Sequence, residues 1–347
     1  MLMTEAGTGS AAVFLGTYTT WEGGGEGIGL ASYDRATGVL THTGVVADVP
    51  NPSFLVREGD RLYAVNEQQD GAVTALAIGA DGVPVVLNRQ STGGADPCHL
   101  VLHEGHLLAA NYTSGSVSAH PVLPDGSLGE RTDLVRHEGS GPNRDRQEGP
   151  HAHQVVVDPT GRFVLAVDLG ADSVFTYRLV GGRLEHVATA RTHAGAGPRH
   201  LAFHPGGRFA YLANELDSTV TVAAYADGVL TPGAVLSTLR EELPEGGENY
   251  PAEILVSPDG RHAYVSNRGH DSIAVFRVLD DGAGLELSAL VPAWGAYPRH
   301  LAFDPTGALL FAANQNSNTV ATFELDEAGL PVPTGTWPTP VPVCVTF

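Results

Sequence analysis

A repeat constrains this chain more than any other feature, and the stretch from Gly195 to Tyr225 shows its unit. Pro198, Arg199 and His200 lead into an apolar run from Leu201 to Phe203, followed by the turn His204-Pro205-Gly206-Gly207. A second run, Phe209 to Ala213, ends in Asn214-Glu215, and after Asp217-Ser218 a third, alternating run goes from Val220 to Ala224. Apolar runs of about four to eight residues bounded by Pro and Gly read as strands, and Pro-x-Gly between two of them is turn chemistry. The unit is a β-meander.

Further units open at Asn51-Pro52-Ser53-Phe54, Asp96-Pro97-Cys98-His99, Gly149-Pro150-His151-Ala152-His153, Tyr250-Pro251-Ala252-Glu253 and Tyr297-Pro298-Arg299-His300. Their second runs end at Asn66, Asn111, Asp168, Asn214, Asn267 and Asn314, with separations of 45, 57, 46, 53 and 47 residues. A period of about fifty is that of a four-stranded propeller blade. Ahead of these units lie strand candidates at Val13 to Thr19, Leu30 to Tyr33 and Val39 to Val46, with a Gly-rich loop from Glu22 to Gly29. The last residues, Pro342 to Phe347, match Pro298 to Phe303, so the chain ends on a first strand and begins on a second one. Joined, the two ends complete a seventh blade and leave no unpaired seam. The expected fold is all-β: one seven-bladed β-propeller over residues 1–347, with four-stranded antiparallel blades, the ring closed by pairing the terminal strands, and residues 1–12 a disordered tail.

Composition agrees with many short strands, since 43 Gly and 23 Pro suit tight turns and 42% hydrophobic residues suffice for a core. Cys98 and Cys344 are too few for a disulfide framework and read as buried free thiols in non-adjacent blades. A net charge of −20 argues against nucleic acid and anionic membrane surfaces as partners. All 19 basic residues are arginine, which removes lysine Schiff-base and P-loop chemistry and leaves Arg as the fixed cation for binding an anion. With no apolar run of membrane-spanning length and no signal-like start, a cytoplasmic location is expected.

Two spacings are long because of insertions, one from His137 to Glu148 and one from Arg240 to Asn249. Residues just before a first strand and just after a second lie at the same end of a blade, because the two strands are antiparallel. Propeller geometry then gathers His99, His153, Arg199, His200, Glu215, Glu253, Arg268, Arg299, His300 and Gln315 around one mouth of the central channel. Each has a plain architectural alternative: a histidine bonded to a neighbouring carbonyl, an Arg199–Glu215 ion pair, an Asn that merely forms a turn. Departures from the repeat point to function. Asn-Glu before Asp-Ser occurs in the fifth unit, Asn-Arg in the sixth and His-x-His in the fourth.

The segments GAGPRHLAFHP with YLANELDSTV, PHAHQVVVDPTGRFVLAVDLG and AEILVSPDGRHAYVSNRGHDSIAVF resemble the seven-bladed propeller lactonases, which include a 6-phosphogluconolactonase type and the carboxymuconate lactonising enzymes. The resemblance covers nearly the whole chain and is weakest before about Gly93. It implies a carboxylic ester hydrolase of carbohydrate metabolism, acting on a sugar lactone in the pentose phosphate pathway. It also implies a site made of His153, Arg199, Glu215 and Arg268.

Lactone hydrolysis needs a base for water, a cation for the oxyanion and a proton for the departing ring oxygen. Glu215 or His153 is the candidate base, and Arg199 or Arg268 the oxyanion partner. Arg299, Arg144 and Arg146 are candidates for a substrate phosphate, with His99, His151, His200, Glu253 and His300 as further binding positions. The expected partner is a small anionic lactone, with no cofactor, no metal, no nucleic acid and no membrane, and the protein is expected as a monomer or weak homo-oligomer. Three competing readings stay open: the same site run as a muconate cycloisomerase; a divalent metal held by His99, His151, His153, His200 and His300, with the two rings of His-x-His on one face; and a non-enzymatic binding module.

Overall fold

A computed structural model describes residues 9–21 and 23–347 as seven four-stranded antiparallel sheets. The first blade joins the two ends of the chain. Its order is β28 (Pro342–Thr346), β1 (Ser10–Thr17), β2 (Gly27–Asp34), β3 (Leu40–Ala47), with Leu15 opposite Val345 and Gly16 opposite Cys344. Blade two holds β4 (Leu55–Glu58), β5 (Arg61–Asn66), β6 (Ala72–Ile78) and β7 (Pro84–Ser91). Blade three holds β8 (Pro97–His103), β9 (His106–Asn111), β10 (Ser116–Pro121) and β11 (Asp133–Arg136). Blade four holds β12 (Ala152–Val157), β13 (Val164–Asp168), β14 (Ser173–Val180) and β15 (Arg183–Arg191). The fifth runs through β16 (Pro198–Phe203), β17 (Phe209–Asn214), β18 (Thr219–Ala226) and β19 (Val229–Ser237). The sixth runs through β20 (Tyr250–Val256), β21 (His262–Arg268), β22 (Ser272–Leu279) and β23 (Gly284–Pro292). The seventh runs through β24 (Pro298–Phe303), β25 (Leu309–Asn314), β26 (Thr319–Leu325) and β27 (Pro331–Pro338). This is the seven-bladed propeller that the repeat predicts, closed by the expected terminal pairing.

The expected tail over residues 1–12 needs correction where it meets β1. Ser10, Ala11 and Ala12 pair with Asp34, Tyr33 and Ser32, while residues 1–8 lie outside the described part of the chain. Both cysteines are buried free thiols, as expected.

Each interior strand carries a nearly unbroken apolar run because both faces of its blade are covered. Leu108, Ala110, Val117 and Ala119 of blade three pack on Val155, Val164, Ala166 and Tyr177 of blade four, and a similar cluster fills every junction up to Leu309 and Phe311 against Val13, Leu15 and Val345. A blade therefore has no core of its own and depends on its neighbours for burial. The fourth strands alternate instead: β19 buries Leu230 while Val229 and Thr231 face water. At the end opposite the mouth, first and second strands are joined by tight turns in which Gly161, Gly207, Gly260 and Gly307 take φ of 67, 71, 73 and 74°, a left-handed conformation suited to glycine.

Three second-strand tyrosines latch blades together at that end. Tyr63, Tyr211 and Tyr264 donate hydroxyl hydrogen bonds to the carbonyls of Gly126, Gly282 and Gly329 in the next blade, at 3.0, 3.0 and 2.8 Å. All three are fully buried, so losing a hydroxyl strands a carbonyl away from water. Tyr264→Phe should lower unfolding free energy by about 1 kcal/mol in denaturant titration; an unchanged midpoint would show that the latch adds nothing.

Candidate functional site

The repeat delivers its polar side chains in three tiers. Residues at or just past the ends of the second strands form the outermost: Tyr18, Glu67, Tyr112, Leu169, Glu215, Arg268 and Gln315. The next comes from the residue after the first-strand opening: Ser53, Cys98, His153, Arg199, Ala252, Arg299 and Val343. Below it lie Phe54, His99, Gln154, His200, Glu253, His300 and Cys344. A register shift falls at the middle tier in six of the seven first strands, for example between Pro198 and His200 and between Pro298 and His300. Such bulges re-aim a side chain, and here they turn Arg199 and Arg299 into the channel.

A mouth cavity of about 230 Å³ results, lined by Tyr18, Glu67, Cys98, Tyr112, Arg146, His153, Glu215, Arg268 and Arg299. Glu215 stands at its centre of charge. Arg146 Nη2 donates to its Oε1 at 2.6 Å and Arg268 Nη2 to its Oε2 at 2.6 Å. Arg199 Nε lies 3.3 Å from Oε2 as a charge contact without hydrogen-bond alignment, so Arg199 Nε and Nη1 have no partner among the described residues. Burial pushes the Glu215 carboxyl up, but Arg268, Arg199 and Arg146 outweigh it and hold it down at about 2. Burial, with Arg268 and Arg299 alongside, lowers Arg199 to about 9, so its guanidinium is still protonated at neutral pH.

The other cations are held differently. Arg268 Nε donates to the Tyr250 carbonyl at 3.0 Å, and its guanidinium lies 5.2 Å from the Tyr297 ring centroid. Arg299 has no ion pair among the described residues and rests over Tyr18, 5.4 Å from the ring centroid. Tyr18 donates to Glu67 Oε1 at 2.8 Å, and Ser53 donates to the other oxygen. His153 forms part of the wall, with its Nδ1 unpartnered among the described residues and its ring 5.2 Å from that of His200. Burial holds His153, His99 and His200 well below the ordinary 6.5. The arginines push His153 and His200 further the same way.

The expected convergence is therefore observed for His153, Arg199, Glu215, Arg268 and Arg299, with His200, Glu253 and His300 one tier below. Four other expectations change. Glu215 is paired with guanidinium groups that hold its carboxyl down, an environment that disfavours taking up a proton. Arg146 does reach the mouth, but as a partner of Glu215 and of the Tyr112 hydroxyl, at 3.2 Å. Arg144, on the same insertion, is exposed and lines neither the mouth nor the space beneath it. His151 is not in the channel wall. The fourth first strand begins at Ala152, which pairs with Asp168 as Pro198 pairs with Asn214, so the unit opens two residues later than Pro150 suggests. His151 is buried ahead of that opening, its ring stacked on Tyr112, its Nδ1 at 3.1 Å from the Tyr112 carbonyl and its Nε2 at 3.1 Å from Glu148, and it lines neither the mouth nor the space beneath it.

His99 stacks on Phe54 at 4.0 Å, and Gln315 is buried beside Asn316; neither lines the mouth. The recurring Asn residues are architectural, as read: Asn214 bonds Thr219 and Thr221 of the next strand, and Asn314 bonds the Ala293 carbonyl. Among the described residues, no cluster of three or more His, Cys, Asp or Glu has metal-binding geometry. No helix among the described residues is long and apolar enough to cross a membrane. Tyr18, Glu67 and Tyr112 were missed, although each occupies the position in its own unit that Glu215 occupies in the fifth.

A cavity walled by guanidinium groups, with neutral imidazoles beside them and no nucleophilic serine or metal cluster among its lining residues, suits an activated ester attacked by water. The family model for the lactonases with a seven-bladed β-propeller matches residues 12–347. The chain belongs to this family. It is 37% identical over 344 residues to the 6-phosphogluconolactonase of Bacillus subtilis, covering 96% of this chain and 97% of that one. Among solved structures, the periplasmic gluconolactonase PpgL of Pseudomonas aeruginosa superposes with a TM-score of 0.87 at 31% identity, over 97% of this chain and 98% of that one. A protein of Lactobacillus plantarum gives 0.90 at 32%, with the same coverage. This lactonase is thus a carboxylic ester hydrolase by family.

Its buried titratable groups couple folding to pH. The unfolded chain takes up protons on histidine below about 6.5, while His99, His153 and His200 stay neutral in the fold and His300 is held at about 4. Each such group weakens folding by up to about 1.4 kcal/mol per pH unit as pH falls below 6.5. Glu215 acts lower: its ion pairs stabilise the fold fully above the ordinary 4.5, and that contribution is lost as pH falls through about 2. Denaturant titrations from pH 7 to pH 5 should show steadily falling stability, with more than one proton taken up on unfolding; a flat profile would contradict the buried neutral histidines.

Proposed function

We propose that this lactonase hydrolyses the lactone of an anionic sugar acid, with 6-phosphogluconolactone as the substrate that fits best. One observation carries this reading: Arg299 offers the mouth a guanidinium not paired with any carboxylate among the described residues, in a protein whose net charge is −20. A phosphate on Arg299 places a sugar lactone across the cavity toward Arg199, whose Nε and Nη1 still have donors to give. Over a Debye length of about 8 Å these local cations outweigh the acidic surface. The name of the Bacillus subtilis relative supports the same substrate. A phosphorylated lactone does not cross membranes freely, so a cytoplasmic location forms part of the proposal.

A water oxygen attacks the carbonyl carbon, and the oxyanion forms against Arg199 and Arg268, whose donors are preorganised by Glu215. The water's proton passes to a neutral channel histidine and then to the ring oxygen as the ring C–O bond breaks. His153 meets the lactone from the cavity wall as a hydrogen-bonding partner. A lactone is already an activated acyl group, so no covalent enzyme intermediate is required.

In a pH-stat panel of 6-phosphogluconolactone, gluconolactone and a muconolactone, the phosphorylated substrate should be preferred. Arg299→Ala should raise KM for it while leaving gluconolactone little changed. Arg199→Ala and Glu215→Gln should each lower kcat by about 10²- to 10³-fold in protein whose circular dichroism is unaltered. Near wild-type turnover by both variants would remove the assignment, and turnover of the muconolactone alone would favour the cycloisomerase reading.

A further inference from the structure

Beneath the arginines the channel narrows to a waist of about 10 Å³, bounded by Ser53, Phe54, Arg199, His200, Glu253 and His300. It shares Glu67, Cys98 and Arg299 with the mouth above, so the two spaces adjoin. Its volume suits about one water, and a water held there needs at least two polar partners. The waist supplies them. His200 Nε2 and Glu253 Oε2 are buried without a hydrogen-bond partner among the described residues, and so are Nε and Nη1 of Arg199.

The protons on this tier can be assigned from its bonds. The Val345 amide donates to His300 Nδ1 at 3.3 Å, so the His300 proton is on Nε2, which faces Glu253 Oε2 at 3.5 Å. His200 Nδ1 lies 3.0 Å from Glu253 Oε1. A carboxylate only accepts, so His200 carries its proton on Nδ1 and presents a bare lone pair at Nε2. An imidazole held by a carboxylate at one nitrogen, with the other left unpartnered in a residue that lines the waist, has what an oriented general base needs. His153 has no such support, because its Nδ1 has no partner among the described residues.

We propose that His200 is the general base of this lactonase, taking the proton from a water held in the waist, with Glu253 and His300 as the positioning residues that fix its tautomer. The inference rests on lactone hydrolysis at the mouth and gives that reaction its proton path. The water oxygen forms the new bond to the carbonyl carbon as its proton moves to His200 Nε2, and the carbonyl electrons settle on an oxyanion facing Arg199. When the ring C–O bond breaks, its electron pair stays on the ring oxygen, which takes the same proton back from His200. The products are a carboxylic acid, which ionises in water, and a hydroxyl. Nothing is oxidised or reduced.

The charges around His200 set its working form. Arg199, Arg268 and Arg299 face it from above with Glu215, and Glu253, His99, His153 and His300 surround it at its own level and beside it. Burial, with the guanidinium groups of Arg199, Arg299 and Arg268 acting the same way, keeps the resting imidazole neutral. Glu253 is the counter-charge that makes a transient imidazolium affordable.

The test compares kcat and KM for 6-phosphogluconolactone across His200→Asn, Glu253→Gln, Glu253→Asp and His153→Asn. His200→Asn should lose about 10²-fold or more in kcat with little change in KM. Glu253→Gln should lose kcat to a smaller extent, and Glu253→Asp should recover part of it, which a merely structural carboxylate would not do. His153→Asn should act mainly on KM. Near wild-type kcat in His200→Asn overturns the assignment of the base, and near wild-type kcat in Glu253→Gln overturns the positioning role of Glu253. Should those substitutions unfold the protein, a high-resolution crystal structure of the wild type decides: a water within hydrogen-bond distance of His200 Nε2 supports it, and a waist without one overturns it. A wild-type protein that hydrolyses no lactone overturns the functional reading and this one with it, whereas hydrolysis untouched by His200→Asn overturns this one alone.

Discussion

Four guanidinium groups crowd one end of a narrow channel, and the Glu215 carboxylate makes that crowding possible. Three of them line a space of about 230 Å³ and Arg199 lies just beneath it, and like charges so close repel strongly where water is scarce. Glu215 neutralises part of that repulsion by bonding Arg146 and Arg268 and lying beside Arg199. The compensation is incomplete, since Arg199 keeps two donor nitrogens without partners among the described residues in a fully buried side chain. A buried cation with open donors is costly in the resting protein, and in the proposed reaction it would meet the oxyanion.

The fold supplies rigidity for that arrangement. Seven blades, none with a core of its own, press their first strands around the channel, and a bulge at the opening of most of them turns one side chain inward. Pairing β28 with β1 ties the last blade to the first, so Val343 and Cys344 take places in the same tiers as Arg199 and His200. Preorganised donors lower a barrier because they do not have to reorient as charge develops. A closed ring of mutually buried sheets holds them still.

Much of this was legible in the chain. The fifty-residue spacing of Asn66, Asn111, Asp168, Asn214, Asn267 and Asn314 identified the blades, and strand polarity put Arg199, Glu215, Arg268 and Arg299 at one mouth. The rest was not legible, for identifiable physical reasons. Periodicity reports where a backbone goes, and a two-residue ambiguity at Pro150 and Ala152 was enough to place His151 on the wrong side of the strand opening. Charge pairing is set by side-chain reach across blades: Arg146 and Arg144 are near neighbours in the chain, yet one meets Glu215 and the other faces solvent. Tyr18, Glu67 and Tyr112 were visible by alignment alone, had the position after every second strand been taken as a site position rather than only the unusual Asn-Glu and Asn-Arg pairs.

The account turns on where a charged product sits. A crystal structure with 6-phosphogluconate bound tests it most directly. The account predicts the phosphate on Arg299 and the new carboxylate within hydrogen-bond distance of Arg199 and Arg268, with Glu215 still bridging Arg146 and Arg268. Product bound at the opposite end of the channel, or at the mouth with its carboxylate turned away from Arg199, would contradict it.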